Sequence, residues 1–363
     1  MQVIYSQTIQ TSQFSKLPKQ LKISLEDIVN YVEIESYSVF KHLRYKSREL
    51  PASVIARFQD LPLQVQEKHL SLQLRNFIYG TYYHNSWQDT EISEVTTEEK
   101  LTNDNLFGMD LGFYERLHKN NQGEGYWSPN WLVINEESDG CLLVKRNGLT
   151  LHIQRDVYLS DRDKNAIVGE LVAIKMPKNL VQNAFYMAVS NQGTQGDKNI
   201  ARVYFNVTPE GAISMMKSLT QLLNYLQIPF SFKALYSPDN YKRYDAGVLY
   251  FNKYNYPLIH EVLKRVYSEN KDYFLPEVPL FTKQLAPGLG CAEEPENKFT
   301  EQESFGTHRC QMIANGLINS WHKGDNSPES RIMSIFEQFA SQKIKLESAY
   351  LNAYSDDIYT PLE

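Results

Sequence analysis

Apolar positions recur at helical spacing in two early stretches. From Leu25 to Leu43 they are Ile28, Val29, Val32, Phe40 and Leu43, and from Leu61 to Tyr83 they are Leu63, Val65, Leu70, Leu74, Phe77 and Ile78. Two packed helices are predicted there. The following segment, Gln88–Asn105, is rich in Glu, Thr, Asp and Asn, lacks aromatic residues and has no period, so it marks a boundary. Beyond it the pattern turns to alternation. WLVIN, CLLVKRN, LTLHI, VGELVAIKM, AFYMAVSN, ARVYFNVT, FSFKALY and AGVLYF are short β-branched or aromatic runs bounded by Gly, Asn, Asp or Pro, the signature of strands. Pro209–Leu226 reads as an amphipathic helix with Thr208 as N-cap and Pro209 in its first position. Tyr256–Tyr267 and Ser330–Lys343 read as further helices. The order predicts an α+β protein: a helical N-terminal region over 1–105, then a domain over 106–363 built on a large curled mixed or antiparallel sheet flanked by helices. No internal repeat of fixed period is visible.

Composition narrows the class. With 363 residues, 42% hydrophobic and 12% aromatic, the chain can bury a large core. Its net charge of −6 argues against a general nucleic-acid binder. Three scattered cysteines, Cys141, Cys291 and Cys310, suit neither a disulfide framework nor a zinc site, which points to a reducing cytoplasm. The opening MQVIYSQTIQTSQFSK has no apolar core of signal-peptide length, and no apolar run approaches the ~20 residues of a membrane helix. No membrane partner is therefore expected. The phosphate-loop, dinucleotide-binding, zinc-protease, nucleophile-elbow and paired C-x-x-C motifs are all absent. GEG at Gly123–Gly125 is too short for a phosphate loop and reads as a tight turn.

Candidate chemistry gathers around cations. Pro279–Cys310 combines Pro279, Pro287, Gly288, Gly290 and Pro295 with Lys283, a density that predicts a fixed-shape loop in place of a regular element. ESFGTHRC then leads into a helical pattern, so His308 and Arg309 fall at a helix start, the end that attracts anions. Arg202 and Tyr204 alternate within ARVYFNV, and Lys233 interrupts an apolar strand. With Tyr244, Arg243 and Asp245 of YKRYDAG, these residues form a set suited to holding a phosphate ester.

Several of these segments carry a family likeness. MPKNLVQNAFYMAVSN, RVYFNVTPEGA, PFSFKALYSPDNYKRYDAGVLYF, VPLFTKQLAPGLGCAEEP, ESFGTHRC and YLNAYSDDIYTPL together resemble the HopA-type type III effector family over roughly Phe107–Leu362. Proteins of this type also look like the lyase component of class V lanthipeptide synthetases, which acts beside a separate kinase-like protein on a precursor peptide. The resemblance implies β-elimination of phosphate from phosphoserine or phosphothreonine to give dehydroalanine or dehydrobutyrine, with no metal or organic cofactor. Elimination asks for a base, a clamp for the departing phosphate and a proton donor. A lysine crowded by cations is a competent base, so chemistry and placement assign Lys233 as base and His308 as acid. Arg202, Arg243, Lys283 and Arg309 become the clamp, oriented by Tyr244 and Asp245. Other effector phosphothreonine lyases use a Lys-x-His pair, and no histidine here has a lysine two positions before it. His152, near Lys145, is the alternative acid. Two further readings remain: a non-catalytic adaptor that grips a leader peptide through Tyr126, Trp127 and Trp131, and an effector acting on a host phosphoprotein.

Overall fold

The computed structural model describes residues 14–45, 52–86, 105–106 and 109–362. The polar boundary segment Gln88–Asn105 lies outside them except for Asn105, as does the opening of the chain through residue 13. Helix α1 spans Lys19–Tyr31 and is followed by a hairpin of β1 (Val32–Ser36) and β2 (Val39–His42). The first predicted helix therefore ends at Tyr31, not Leu43. Val32 and Ile34 are buried while Glu33 is exposed, so a period of two over β-branched residues overrides the helical reading. Helices α2 (Ala52–Gln59) and α3 (Leu63–Ile78) come next, and α3 runs on into a π-helical turn at Tyr79–Tyr83. A two-residue pair, β3 (Asn105–Leu106) with β4 (Met109–Asp110), precedes α4 (Leu111–Asn120), whose first turn is capped by Asp110.

All eight predicted strands are present, divided between two antiparallel sheets. The smaller contains β5 (Tyr126–Glu136), β6 (Leu142–Arg146), β7 (Leu149–Ile153) and β8 (Leu171–Met176), in the order β7-β6-β5-β8. The larger has seven strands: β9 (Asn179–Gln182), β10 (Phe185–Val189), β11 (Ile200–Phe205), β12 (Phe230–Leu235), β13 (Gly247–Asn252), β14 (Lys283–Ala286) and β15 (Leu289–Glu293). Its order is β14-β15-β11-β13-β12-β10-β9. Helices α5 (Pro209–Tyr225), α6 (Tyr256–Asn270), α7 (Phe305–His322) and α8 (Pro328–Ser341) complete the α+β fold. Thr208 caps α5 as predicted, its hydroxyl accepting from the Gly211 amide at 3.1 Å.

Strands β14 and β15 correct the loop reading of Pro279–Cys310. Within it Lys283–Glu293 fold as a β-hairpin with Pro287 and Gly288 at its turn, because proline presets the first turn residue and Gly288 takes the positive φ of 75° that the second demands. A side chain at Gly288 would also strike the Leu275 carbonyl oxygen, 2.3 Å from an ideal Cβ.

Strand alternation gives the large sheet two different faces. Val203, Phe205, Phe230, Phe232, Leu249 and Phe251 face α5 and α6 and form one apolar core with Met215, Leu219 and Ile259. Tyr204, Val248 and Ala292 face the other way and join a second core with Phe305 and Met312 of α7 and with Leu25, Leu74 and Phe77 of the N-terminal helices. The N-terminal region thus shares a core with α7 and α8. In the small sheet Trp131 is core, 4% exposed with Nε1 donating to Ser128 Oγ, whereas Trp127 is exposed. Among the described residues no helix is long and apolar enough to cross a membrane.

Helices α7 and α8 meet at Gly316, where an added Cβ would lie 2.7 Å from the Ile335 Cα. Gly316→Ala is therefore expected to destabilise the protein by about 1–3 kcal/mol, overpacking outweighing the gain in helix propensity. A denaturant midpoint equal to wild type would show that the crossing is looser than described.

Candidate functional site

Cross-strand partners stand on the same side of a sheet, and the register here places Arg202 opposite Tyr250, Tyr250 opposite Ser231, and Lys233 opposite Val248 and Met187. Three chemically active side chains therefore rise from β11, β13 and β12 on the face away from α5 and α6. The Arg202 guanidinium carbon is 4.9 Å from the centre of the Tyr250 ring, and Lys233 Nζ is 5.5 Å from the same ring. Lys233 Nζ also lies 4.3 Å from the Phe185 ring, which Arg243 approaches at 5.9 Å. The result is a row of cations separated by aromatic rings: Arg202, Tyr250, Lys233, Phe185, Arg243. Cations over ring faces are held by the ring quadrupole without being neutralised.

Carboxylates balance only part of the row. Arg243 forks onto Asp245, Nε to Oδ1 at 2.8 Å and Nη2 to Oδ2 at 2.9 Å. Arg202 pairs with Glu294, which also takes Lys298 at 2.6 Å. Lys233 makes no ion pair among the described residues; its Nζ donates to Gln182 Oε1 at 3.4 Å and also lies within hydrogen-bonding reach of the Tyr250 hydroxyl. Arg202 Nε is buried without a hydrogen-bond partner. Beside Glu294 and Lys298 a cleft of about 810 Å³ opens, lined also by Asp197, Lys198, Glu296 and Glu301, so acidic residues outnumber basic ones there.

The electrostatics follow from this arrangement. Burial pushes the Tyr250 phenol up, but Arg202 and Lys233 overcome that, so Tyr250 sits below the ordinary tyrosine value. Tyr204 behaves oppositely and is raised to about 12, burial outweighing the nearby Arg202. Burial likewise favours the neutral form of Asp245, yet the Arg243 fork holds its carboxyl below the usual range.

The π-helical turn adds a second wall. It stacks Tyr79 on Tyr83, with centroids 5.0 Å apart and planes 13° apart, and sets the His84 ring 4.4 Å from Tyr79. Such widened turns recur at functional sites because they redirect side chains. Gly306 in the first turn of α7 is what lets the stack fit, since a Cβ there would lie 2.4 Å from Tyr83 Cζ. His84 is buried, its Nδ1 has no partner, and desolvation with help from Arg243 lowers it to about 4 against the pull of Asp245.

The structure thus brings Lys233, Arg202, Arg243 and Asp245 together, and holds the other candidates elsewhere. Arg309 is fully buried and saturated by the C-terminal segment: Nε donates to Ala349 O at 2.7 Å, Nη2 to Leu351 O at 3.0 Å and Nη1 to His308 Nδ1 at 2.7 Å. His308 is thereby used as an acceptor, and burial with the adjoining guanidinium lowers it to about 3. The helix start is capped by Ser304 and Thr307 of its own chain. Lys283 stands opposite Cys291, on the α5 and α6 side of the sheet, and pairs with Asp357 at 2.6 Å. Tyr244 is turned toward Glu277 and Tyr45. His152 lies in the small sheet, 3.2 Å from Glu137. The residues missed from sequence are Tyr250, Glu294, Lys298 and the Tyr79, Tyr83, His84 wall; only the Glu294–Lys298 spacing of four offered a local signal.

An antiparallel α+β protein with a row of cations on one sheet face is the class that this geometry defines. Residues 176–351 match the model of the HopA1 effector protein family. The span covers the seven-stranded sheet and the whole cation row, whereas the Tyr79, Tyr83 and His84 wall precedes it. Among solved structures, the chain is similar to an effector protein from Pseudomonas syringae pv. tomato strain DC3000 at 16% identity and a TM-score of 0.43, covering 83% of this chain and 98% of that one. It is also similar to an effector protein from Pseudomonas syringae pv. syringae strain 61 at 17% identity and a TM-score of 0.40, covering 67% and 80%. No curated protein matches.

Two buried histidines make stability depend on pH. His84 and His308 titrate near 4 and 3 in the folded protein against 6.5 ordinarily, so between pH 6.5 and about 4 the unfolded chain binds protons that the fold refuses. Their contribution is complete above 6.5 and is lost as pH falls. Denaturant midpoints should drop across this window, and His308→Gln, which keeps an acceptor for Arg309, should flatten the fall. An unchanged slope in the variant would mean that His308 is not held neutral.

Proposed function

We propose that this chain eliminates phosphate from phosphoserine or phosphothreonine of a precursor peptide phosphorylated by a separate kinase-like protein, leaving dehydroalanine or dehydrobutyrine. The observation that carries the reading is the row Arg202, Tyr250, Lys233, in which a lysine with no ion pair among the described residues and an arginine whose Nε is buried without a hydrogen-bond partner flank one tyrosine. A buried donor without a partner is costly, and an oxyanion at Arg202 Nε would remove that cost. In a chain of net charge −6, such a local excess of cations selects an anionic ligand over the background field. Lys233 then takes the Cα proton while Arg202, across Tyr250 from it, stabilises the negative charge gathering on the phosphate, and Arg243 adds positive charge at the far end of the row. The adaptor reading loses one of its anchors, because Trp131 is core.

The test is mass spectrometry of the phosphorylated precursor peptide after incubation with the purified protein. Loss of one phosphoric acid is expected with wild type, slowed about 100-fold or more in Lys233→Ala, the scale of a lost general base. Retention of phosphate by wild type would leave the adaptor role in its place. Loss at equal rates in both proteins would keep the elimination and move the base.

A further inference from the structure

Elimination makes and breaks bonds at two places, and the row holds a group for each. We propose that Tyr250 is the acid that protonates the bridging oxygen of the departing phosphate and that it works as a couple with Lys233. The inference rests on the lyase reading above. Tyr250 stands on β13, a central strand, between Arg202 at 4.9 Å on one side and Lys233 at 5.5 Å on the other. Its ring is packed beside Tyr204 and Val248 but is not fully covered, so the phenol sits where the core meets the open face.

The proton balance closes within this couple. The amine of Lys233 takes the Cα proton and becomes an ammonium, and the freed electron pair forms the Cα=Cβ double bond. The Cβ–O bond breaks with its electrons moving to the bridging oxygen, which takes the Tyr250 hydroxyl proton and leaves as hydrogen phosphate. A phenolate remains between two cations. Loss of the Lys233 proton to water and uptake of one by the phenolate restore both groups, with no net proton drawn from solvent. The lowered pKa of Tyr250 agrees with this role, Arg202 and Lys233 favouring the phenolate and Asp245 opposing it weakly.

The acid first assigned from sequence is less well placed. One His308 nitrogen accepts from Arg309 and the ring is also tied to the Asn297 backbone, so it has no proton to offer toward the row.

A leaving group that needs no proton separates an acid from a merely structural tyrosine. Two peptides of the same sequence would be compared, one carrying phosphoserine and one carrying serine O-sulfate, whose tetrahedral anion departs unprotonated. Tyr250→Phe is expected to slow phosphate elimination about 100-fold, as for a lost general acid, and to leave sulfate elimination at the wild-type rate. Lys233→Ala should slow both. Equal slowing of the two esters in Tyr250→Phe, or slowing of neither, overturns the acid while leaving the lyase intact; wild type inactive on both esters removes the lyase reading and this one with it. A second readout needs no turnover. Ultraviolet titration of the substrate-free protein, with Tyr250→Phe as blank, should show Tyr250 ionising below ordinary tyrosine and moving up in Lys233→Met. A Tyr250 that ionises with the exposed tyrosines in both proteins would equally overturn the couple.

Discussion

The antiparallel register of β11, β13 and β12 is the constraint on which the site depends. It places Arg202, Tyr250 and Lys233 on one side of the sheet and Val203, Leu249 and Phe232 on the other. A slip of one residue in β11 or β12 would bury a cation among α5 and α6 and turn aromatic residues out of that core, and a slip in β13 would bury the Tyr250 phenol there, costs that leave one arrangement. The apolar core against α5 and α6 thus enforces the polar geometry of the opposite face. Stability and site are two readings of the same register.

Around that sheet the remaining cations have different duties, which local chemistry distinguishes. Arg309 binds two backbone carbonyls and His308, so it fastens the chain after α8 onto α7. Lys283 holds the same terminal stretch through Asp357, and Lys253 reaches Glu293 and Ser355 from a third direction. Glu293, buried and receiving Ser355, Tyr359 and the Asn352 amide, is the centre of that fastening. Its neighbour Glu294 points to the other face and meets Arg202 and Lys298. Two adjacent glutamates on one strand end therefore serve opposite sides, the consequence of a side-chain period of two.

The N-terminal helices are more than a cover. Through the π-helical turn they supply the Tyr79–Tyr83 stack and a neutral His84, and the His84 carbonyl accepts from the Tyr244 amide beside the Arg243–Asp245 fork. Motion of α3 would reach the cation row through that contact. The family match begins at residue 176, so this wall is a feature of the present chain outside the matched span.

The α+β class, the eight strands first recognised, the cap of α5 and the start of α7 near His308 were legible in the chain, because alternation, helical spacing and capping are local properties. The β14–β15 hairpin was not, since proline and glycine mark a turn without saying what flanks it. Lys233 and Arg202 were legible as cations in strands, where a charge needs a reason. That Tyr250 stands between them was decided by the pairing of β13 with both β12 and the more distant β11, which no local pattern encodes. Tyr79, Tyr83 and His84 were hidden for the same reason, and so was the use of His308 and Arg309 to hold the C-terminal segment. The sequence by itself determined which elements form and which faces are apolar. The tertiary structure alone decided which cations find carboxylates or carbonyls, because that depends on distances set only when the sheet has closed its register and the two cores have packed.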